Sequence, residues 1–379
     1  MRDIDRSKIR RIIVKVGSHV LSAGNRFTSA DVRHMADQLV ELPGMGHDLL
    51  LVTSGAVLMG RNMLGLNLSH YPKSLKQSLA AIGQVALMSE YNRIFEEFQQ
   101  PVAQILINLE DFHDRKRYLN IKQTIQGLFK LNVLPILNEN DCIGTEDTAF
   151  GDNDNLSAQL AGMLDADLLV LLSTVDGLYD GDPARPSSRV IPTVNSITPR
   201  MLADARTKGQ LLSTGGMMAK LNAIRKANHI GVPVVLANGR ETDVIRRILG
   251  GEEIGTLFLP DVKRMPLRKR WLAYSTRAKG NVVIDDGACT ALLANNSSLL
   301  SSGVVEVQGK FEAQDVISIV TREGREIARG ITKYDSSNLE EVAGMSNAEI
   351  TRSLGVRYFS EVIHRDDMVL LPVTRMEVS

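Results

Sequence analysis

Over its first two-thirds the chain alternates short apolar runs with longer amphipathic stretches, and this alternation restricts it to a layered α/β fold. The runs are Arg11–Val16, Asp48–Thr53, Val102–Asn108, Val133–Asn138, Leu168–Ser173 and Val232–Ala237. Most are continuously apolar, as strands buried on both faces of a parallel sheet must be. Between them, stretches such as Leu75–Phe98 and Tyr118–Leu131 are long enough for crossover helices. The expected architecture is therefore an open, mainly parallel sheet sandwiched between helices. In such sheets ligands bind beyond the carboxyl ends of the strands, so functional residues should follow the strands directly.

The pattern changes near Pro260. Residues 260–279 hold seven Lys or Arg against one Asp, with a second proline at Pro266, which reads as a basic linker or a solvated connecting segment. Beyond it, Asn281–Asp285, Val304–Val307, Val316–Val320 and Glu326–Ile331 are short strands separated by Gly, Asp and Ser turns, with little helix among them. The expected domains are 1–259, a linker at 260–279, a small β-rich domain at 280–366, and a tail at 367–379. A chain of 379 residues carries two domains comfortably.

Composition closes off several classes of function. Lys plus Arg and Asp plus Glu both number 44, so net charge gives no argument for a nucleic-acid or membrane partner. Seven histidines are scattered without metal-ligand spacing and no CxxC occurs, which excludes a conventional zinc or iron–sulfur site. Cys142 and Cys289 cannot form a disulfide framework and suit a reducing compartment. The charged N-terminus lacks an apolar signal core, and no apolar run spans a bilayer. The expectation is a cytoplasmic protein.

Four segments carry chemistry. Lys15 lies inside an apolar strand, where a lysine must snorkel out or serve a site, and Gly17-Ser18 follow at once. A point charge beside close-approaching backbone suits a phosphate, although a strand-edge lysine before a turn would look the same. The second strand runs into Thr53-Ser54-Gly55-Ala56, whose small residues let a helix N-terminus face an anion. Asn138-Glu139-Asn140-Asp141 and Gly151-Asp152-Asn153-Asp154-Asn155 read as two loops crowded with amides and carboxylates, suited to an ammonium, a lysine head or magnesium. Last, Thr214-Gly215-Gly216-Met217-Met218-Ala219-Lys220 sets a lysine one turn into a helix after a Gly-Gly turn. That follows the logic of a phosphate loop without the usual P-loop spacing.

In their order these segments resemble the glutamate 5-kinases of the amino-acid kinase family. The resemblance extends through Ala81-Ile82-Gly83-Gln84, Arg115 with Tyr118-Leu119-Asn120, and Gly177-Leu178-Tyr179. The C-terminal region is similar to a PUA domain, a small β-barrel, through Asp285-Asp286-Gly287-Ala288, Ser298-Leu299-Leu300, Gly309-Lys310-Phe311 and Ala328-Arg329-Gly330. The resemblance implies ATP-dependent phosphorylation of the glutamate side-chain carboxylate, the first step of proline synthesis. It assigns Lys15, Lys220 and Asp154 to catalysis, with Asp154 holding the two lysines. Ser54, Asp141, Asn153 and Asn138 would bind glutamate. Lys15, Gly17, Ser18, Ser173, Thr174 and Thr214 to Lys220 (Thr214, Gly215, Gly216, Met217, Met218, Ala219, Lys220) would bind ATP. Magnesium, feedback inhibition by proline and a homo-oligomer are implied as well. Departures from the family pattern are Ser173-Thr174 where Thr-Asp is frequent, Ala219 where threonine is common, His19 after Gly17-Ser18, and Gln314 in place of a glycine.

The residue set suits that reaction. A glutamate side chain has a pKa of roughly 4.3, so the nucleophile is already ionised and needs no base. The obstacle is repulsion between carboxylate and triphosphate, which positive charge and positioning overcome. Two alternatives stay open: a kinase of the same fold with another acceptor, and an RNA-binding PUA protein with a degenerate kinase domain. Against the second, residues 280–366 carry eight Lys or Arg and thirteen Asp or Glu, whereas RNA-binding surfaces are usually basic.

Overall fold

The structure, a computed structural model, describes residues 5–23, 26–66, 72–144, 152–208, 216–260, 269, 271–276, 278–295, 297–354 and 361–371. The chain divides into two compact units, Met1–Met265 and Pro266–Ser379.

In the first unit the apolar runs become strands of one sheet: β1 (Arg11–Val16), β2 (Asp48–Val52), β3 (Val102–Ile107), β4 (Leu134–Glu139), β5 (Leu168–Ser173) and β7 (Val234–Asn238). Two short strands, β6 (Thr193–Val194) and β8 (Thr256–Phe258), extend it. Their order is β3-β4-β2-β1-β5-β7-β8-β6. Neighbours run parallel except β8, which lies antiparallel to β7. From β1 the chain first builds leftward to β2, then returns to place β5 on the other flank of β1. The switch point therefore lies between β1 and β5, and their carboxyl ends open the crevice where ligands of such sheets sit.

Strand alternation distributes the side chains of β1. Ile12, Val14 and Val16 enter a core with Val32, Met35 and Leu39 of α1 (Ser29–Leu39) and Leu87, Tyr91 and Phe95 of α3 (Lys73–Glu96). Each such aliphatic contributes about 1.5–3 kcal/mol on burial. Ile13 and Lys15 point to the opposite face, which α5 (Asn153–Leu164) covers, with α4 (Arg115–Lys130) packed beside it on β4. Every residue of α5 from Leu156 to Leu164 is buried. That is how a helix apolar on all sides must be used.

The second carboxamide-rich segment is not a loop. From Asn153 onward it is the first turn of α5, and Asp152 is its cap, accepting the Asp154 backbone N–H at 3.1 Å. Asn and Asp favour turns and helix N-termini alike, and the apolar run that follows decides for the helix. Asn138 and Glu139 likewise belong to β4 rather than to the loop after it.

The second unit holds a mixed five-stranded sheet. Its strands are β9 (Gly280–Ile284), β10 (Val304–Gly309), β11 (Val316–Val320), β12 (Glu326–Ile331) and β13 (Met368–Leu370), in the order β10-β9-β11-β12-β13. Three expectations are corrected here. Helices α7 (Asp286–Asn295), α8 (Ser336–Val342) and α9 (Asn347–Leu354) make the unit richer in helix than the turn-rich sequence suggested. Leu292, Leu339, Val342 and Ile350 pack from them into its core. The segment 260–279 is not solvated throughout: Trp271–Ser275 forms a helical turn against β12 and β13, with Trp271 and Leu272 buried. The tail from 367 is partly structural, since Met368–Leu370 pairs antiparallel with β12.

Gln314 explains one departure from the family pattern. Its φ is 77°, in the left-handed region. A non-glycine residue there is strained by about 1–2 kcal/mol, of which glycine's extra unfolded-state entropy offsets part. Gln314→Gly is expected to stabilise the C-terminal unit by roughly 0.5–1 kcal/mol, read as a higher denaturation midpoint with an unchanged slope. A lowered midpoint would show that the Gln314 side chain makes a favourable contact.

Candidate active site

Lys15 leaves β1 near its carboxyl end, almost wholly buried. A buried ammonium needs a counter-charge, and Asp154 Oδ1 lies 2.6 Å from Lys15 Nζ. Lys220, in the first turns of α6 (Met217–His229), reaches the other oxygen of the same carboxylate, Oδ2, at 2.7 Å. One carboxylate from α5 thus clasps two ammonium groups, from β1 and α6. Asp154 is 0% exposed. Burial pushes its carboxyl pKa up, but Lys15 and Lys220 outweigh burial and hold it at about 2. The cluster of these three groups carries a net positive charge at neutral pH. Asp152, the α5 cap, stands 3.7 Å from Lys15, and burial together with the Asp154 charge raises its pKa.

A second cluster adjoins the first. The side-chain Nδ2 of Asn153 donates to the Thr53 carbonyl oxygen at 2.6 Å, to Ser54 Oγ at 2.9 Å and to Asn138 Oδ1 at 2.9 Å. Asn138 Nδ2 in turn donates to Gln84 Oε1 of α3 at 2.9 Å. Ser54, Asn138 and Asn153, expected together from sequence, are brought together by the ends of β2 and β4 and the start of α5. Asp141 follows β4 in an exposed turn. Desolvation by the surrounding protein raises its carboxyl pKa.

The nucleotide residues are placed unevenly. Gly17 and Ser18 follow β1, Ser173 closes the adjacent strand β5 and Thr174 follows it, so both pairs border the switch point. The Gly17 amide, however, donates to the Leu172 carbonyl at 3.2 Å and continues the sheet ladder, so it is not a free phosphate donor. Gly216 caps α6, followed by Met217, Met218 and Ala219 in its first turn. Thr214 and Gly215 lie outside the described residues, as does Gly151.

Two participants carried no assigned role in the sequence, Asp152 and Gln84; behind them, outside the site itself, the Tyr91 hydroxyl lies 2.8 Å from Thr53 Oγ1. Gln84 and Tyr91 are polar positions on the buried face of α3, seven residues apart, and that spacing is the signal that could have found them. Among the described residues no three His, Cys, Asp or Glu side chains cluster as a metal cage. Nor is any described helix long and apolar enough to cross a membrane.

The model of the amino acid kinase family matches residues 10–238, and that of the PUA domain matches residues 280–354. The chain is 41% identical over 369 residues to a glutamate 5-kinase of Geobacter sulfurreducens, covering 96% of this chain and 98% of that one. It is 40% identical over 365 residues to a glutamate 5-kinase of Caldanaerobacter subterraneus subsp. tengcongensis, covering 95% and 98%. With one from Moorella thermoacetica it shares 41% over 369 residues, covering 96% and 97%. Likeness over nearly the whole of both chains, joined to a doubly clasped carboxylate at the switch point of the sheet, places this chain in the glutamate 5-kinases of the amino acid kinase family.

Proposed function

We infer that the chain transfers the γ-phosphoryl group of ATP to the side-chain carboxylate of free L-glutamate, the first step of proline synthesis. The observation that carries the reading is the pair of ammonium groups fixed on buried Asp154, directly beside the amide cluster of Ser54, Asn138 and Asn153. The lysines would meet charge spread over the equatorial oxygens of the transferring group, which preorganised cations stabilise best. Asp154 stays ionised, takes no proton, and fixes where those cations point. Glutamate would lie on Ser54, Asn138, Asn153 and Asp141, with its ionised side-chain carboxylate toward the lysines. Ser18, Ser173, Thr174 and the segment from Thr214 to Lys220 would line the nucleotide.

Magnesium fits this donor set in the manner usual for nucleotide sites, held mostly by phosphates and by one or two carboxylates. Asp152 offers an oxygen, Oδ2, that is buried and has no partner among the described residues. The ion would neutralise phosphate charge there.

Proline, which shares the ammonium and carboxylate of glutamate, would inhibit by competing at the same amide cluster. Exposed Met63, Leu64 and Val85, at the end of α2 (Ala56–Met63) and on the adjoining α3, form the surface we assign to contact between copies. The excess of acid over residues 280–366 argues against an RNA-binding face, and we assign the PUA domain to tuning the kinase. Both cysteines are unpaired, in keeping with a cytoplasmic setting.

An acyl phosphate is trapped by hydroxylamine as a hydroxamate. With ATP and magnesium, glutamate is expected to give the hydroxamate faster than aspartate or N-acetylglutamate. A larger signal from either of those would overturn the choice of acceptor.

A further inference from the structure

Through one face helix α3 touches the ends of β2 and β4 and the turn that follows β4. Gln77 donates to the Gly144 carbonyl at 3.0 Å, pinning the turn that follows Asp141. Gln84 accepts from Asn138, and Tyr91 pairs with Thr53. The three stand seven residues apart, close to two helical turns, so they form one stripe. The helix is seated closely: a Cβ at Gly83 would come within 1.8 Å of the Ala56 carbonyl oxygen, and one at Gly60 within 2.0 Å of the Leu79 carbonyl oxygen. Glycine at both positions lets α2 and α3 approach nearly backbone to backbone, and Gln84 is thereby held against the end of the sheet.

Backbone groups fix the orientation of every amide in this chain of bonds. The Thr53 carbonyl can only accept, so Asn153 must turn its NH₂ toward it. The Glu139 backbone N–H can only donate, and it bonds Asn138 Oδ1 at 2.9 Å. Asn138 Nδ2 therefore faces Gln84 and requires its Oε1. What remains at the two ends is determined. Asn153 Oδ1 is a buried acceptor without a partner, and Gln84 Nε2 is a buried donor without a partner, among the described residues. Gln84 itself is only 6% exposed. Leaving such groups unmatched costs about 1–3 kcal/mol each, so a ligand that satisfies both is strongly favoured. One unmatched acceptor and one unmatched donor, separated by a single asparagine, form the complement of an α-amino acid zwitterion.

We propose that Gln84 is a substrate-binding residue whose Nε2 donates to the α-carboxylate of the bound amino acid, while Asn153 Oδ1 accepts from its α-ammonium. The proposal rests on the acceptor site assigned above. The α-carboxylate is chosen over the side-chain carboxylate because of position in the network. Asn153 adjoins Asp154 and the lysines, whereas Gln84 is two hydrogen bonds farther along. The end of glutamate that reaches Gln84 is therefore the end remote from the transferred phosphoryl group. Gln84 would thus measure the distance between the two acids of the substrate and select for a free α-carboxylate.

The test compares L-glutamate with its α-amide, which keeps the side-chain carboxylate as nucleophile but lacks the α-acid. Wild type is expected to prefer glutamate by roughly 10- to 100-fold in kcat/KM, the value of a hydrogen bond to a charged group. Gln84→Met keeps the volume and removes the donor. It should bring that preference to within a few-fold, with the KM for ATP unchanged. Gln84→Glu keeps the acceptor for Asn138 but sets a like charge against the substrate, and should raise the KM for glutamate further than Met does. Tyr91→Phe, on the same helical face, should leave the preference intact. A wild-type preference near unity, a preference retained in Gln84→Met, or an equal loss in Tyr91→Phe would each overturn the proposal. Asn153→Ala separates the two readings. If it raises the KM for glutamate while the Gln84 variants keep wild-type selectivity, only the role of Gln84 falls. If the KM for glutamate is unchanged in Asn153→Ala as well, the acceptor site lies elsewhere and both readings fall.

Discussion

Replacing Lys220 by alanine is expected to lower kcat by roughly 100-fold or more, with the KM for glutamate within a few-fold of wild type. The reacting groups are both anions, and the phosphoryl group loads negative charge onto its outer oxygens as it moves. On the proposed mechanism Lys220 would meet that charge without reorganising, because Asp154 Oδ2 already holds its Nζ at 2.7 Å. Removing it leaves Asp154 paired with Lys15 at 2.6 Å, so no buried charge is orphaned and the fold should hold. Lys15→Ala should fall by a similar factor, for the same reason on the other oxygen. Steady-state kinetics with saturating ATP and magnesium decide the matter. An unchanged kcat with only KM raised would relegate the lysines to ground-state binding.

Asp154→Asn should be more damaging, and in two ways at once. An amide of the same shape cannot hold two ammonium groups, so kcat should fall by at least the factor seen for one lysine. The variant should also lose stability, by roughly 3 kcal/mol, because buried Lys15 and half-buried Lys220 lose the carboxylate they share and only Asp152, 3.7 Å from Lys15, remains as a counter-charge. The pH dependence gives an independent check. The folded-state pKa of Asp154 is depressed from 3.8 to about 2. A depressed carboxyl contributes stability that is present above pH 3.8 and lost as pH falls through about 2. The contribution is roughly 2 kcal/mol. Unfolding free energy of wild type should therefore decline over that window, and Asp154→Asn should show a correspondingly shallower decline. A variant with wild-type stability and wild-type acid sensitivity would remove Asp154 from the centre of the site.

Much of the fold was legible because its signals are local. β1 and β5 read as strands from a few consecutive apolar residues, and Leu75–Phe98 read as a helix from its unbroken length between two strands, although its apolar residues do not keep to one face. Where local preference is degenerate, the reading failed. Asp152-Asn153-Asp154 suits a turn and a helix start equally, and the choice was made by the apolar run after it packing against the sheet. Trp271–Ser275 lay in a basic stretch that looked solvated, and only contact with β12 and β13 buries it. Of the helices in the C-terminal unit, α7 is an Ala- and Leu-containing run with no amphipathic period, and α8 and α9 are only about two turns long, too short to stand out between turn residues.

The sequence by itself determined which groups are available to the site we propose: lysines at 15 and 220, a carboxylate at 154, amides at 138 and 153, each in the last residues of a strand or at a helix start. Tertiary structure alone decided that one carboxylate serves both lysines, since Lys220 and Asp154 lie 66 residues apart and only strand order brings them together. It also decided that the Gly17 amide closes a ladder instead of meeting phosphate, and that Gln84 faces the amide cluster with its NH₂ unmatched. The physical reason is common to all three. Residue type and spacing specify what a side chain can donate, accept or carry, but which partner consumes that capacity depends on groups distant in the chain. A polar atom left over in the interior is visible only after every neighbour has been paired.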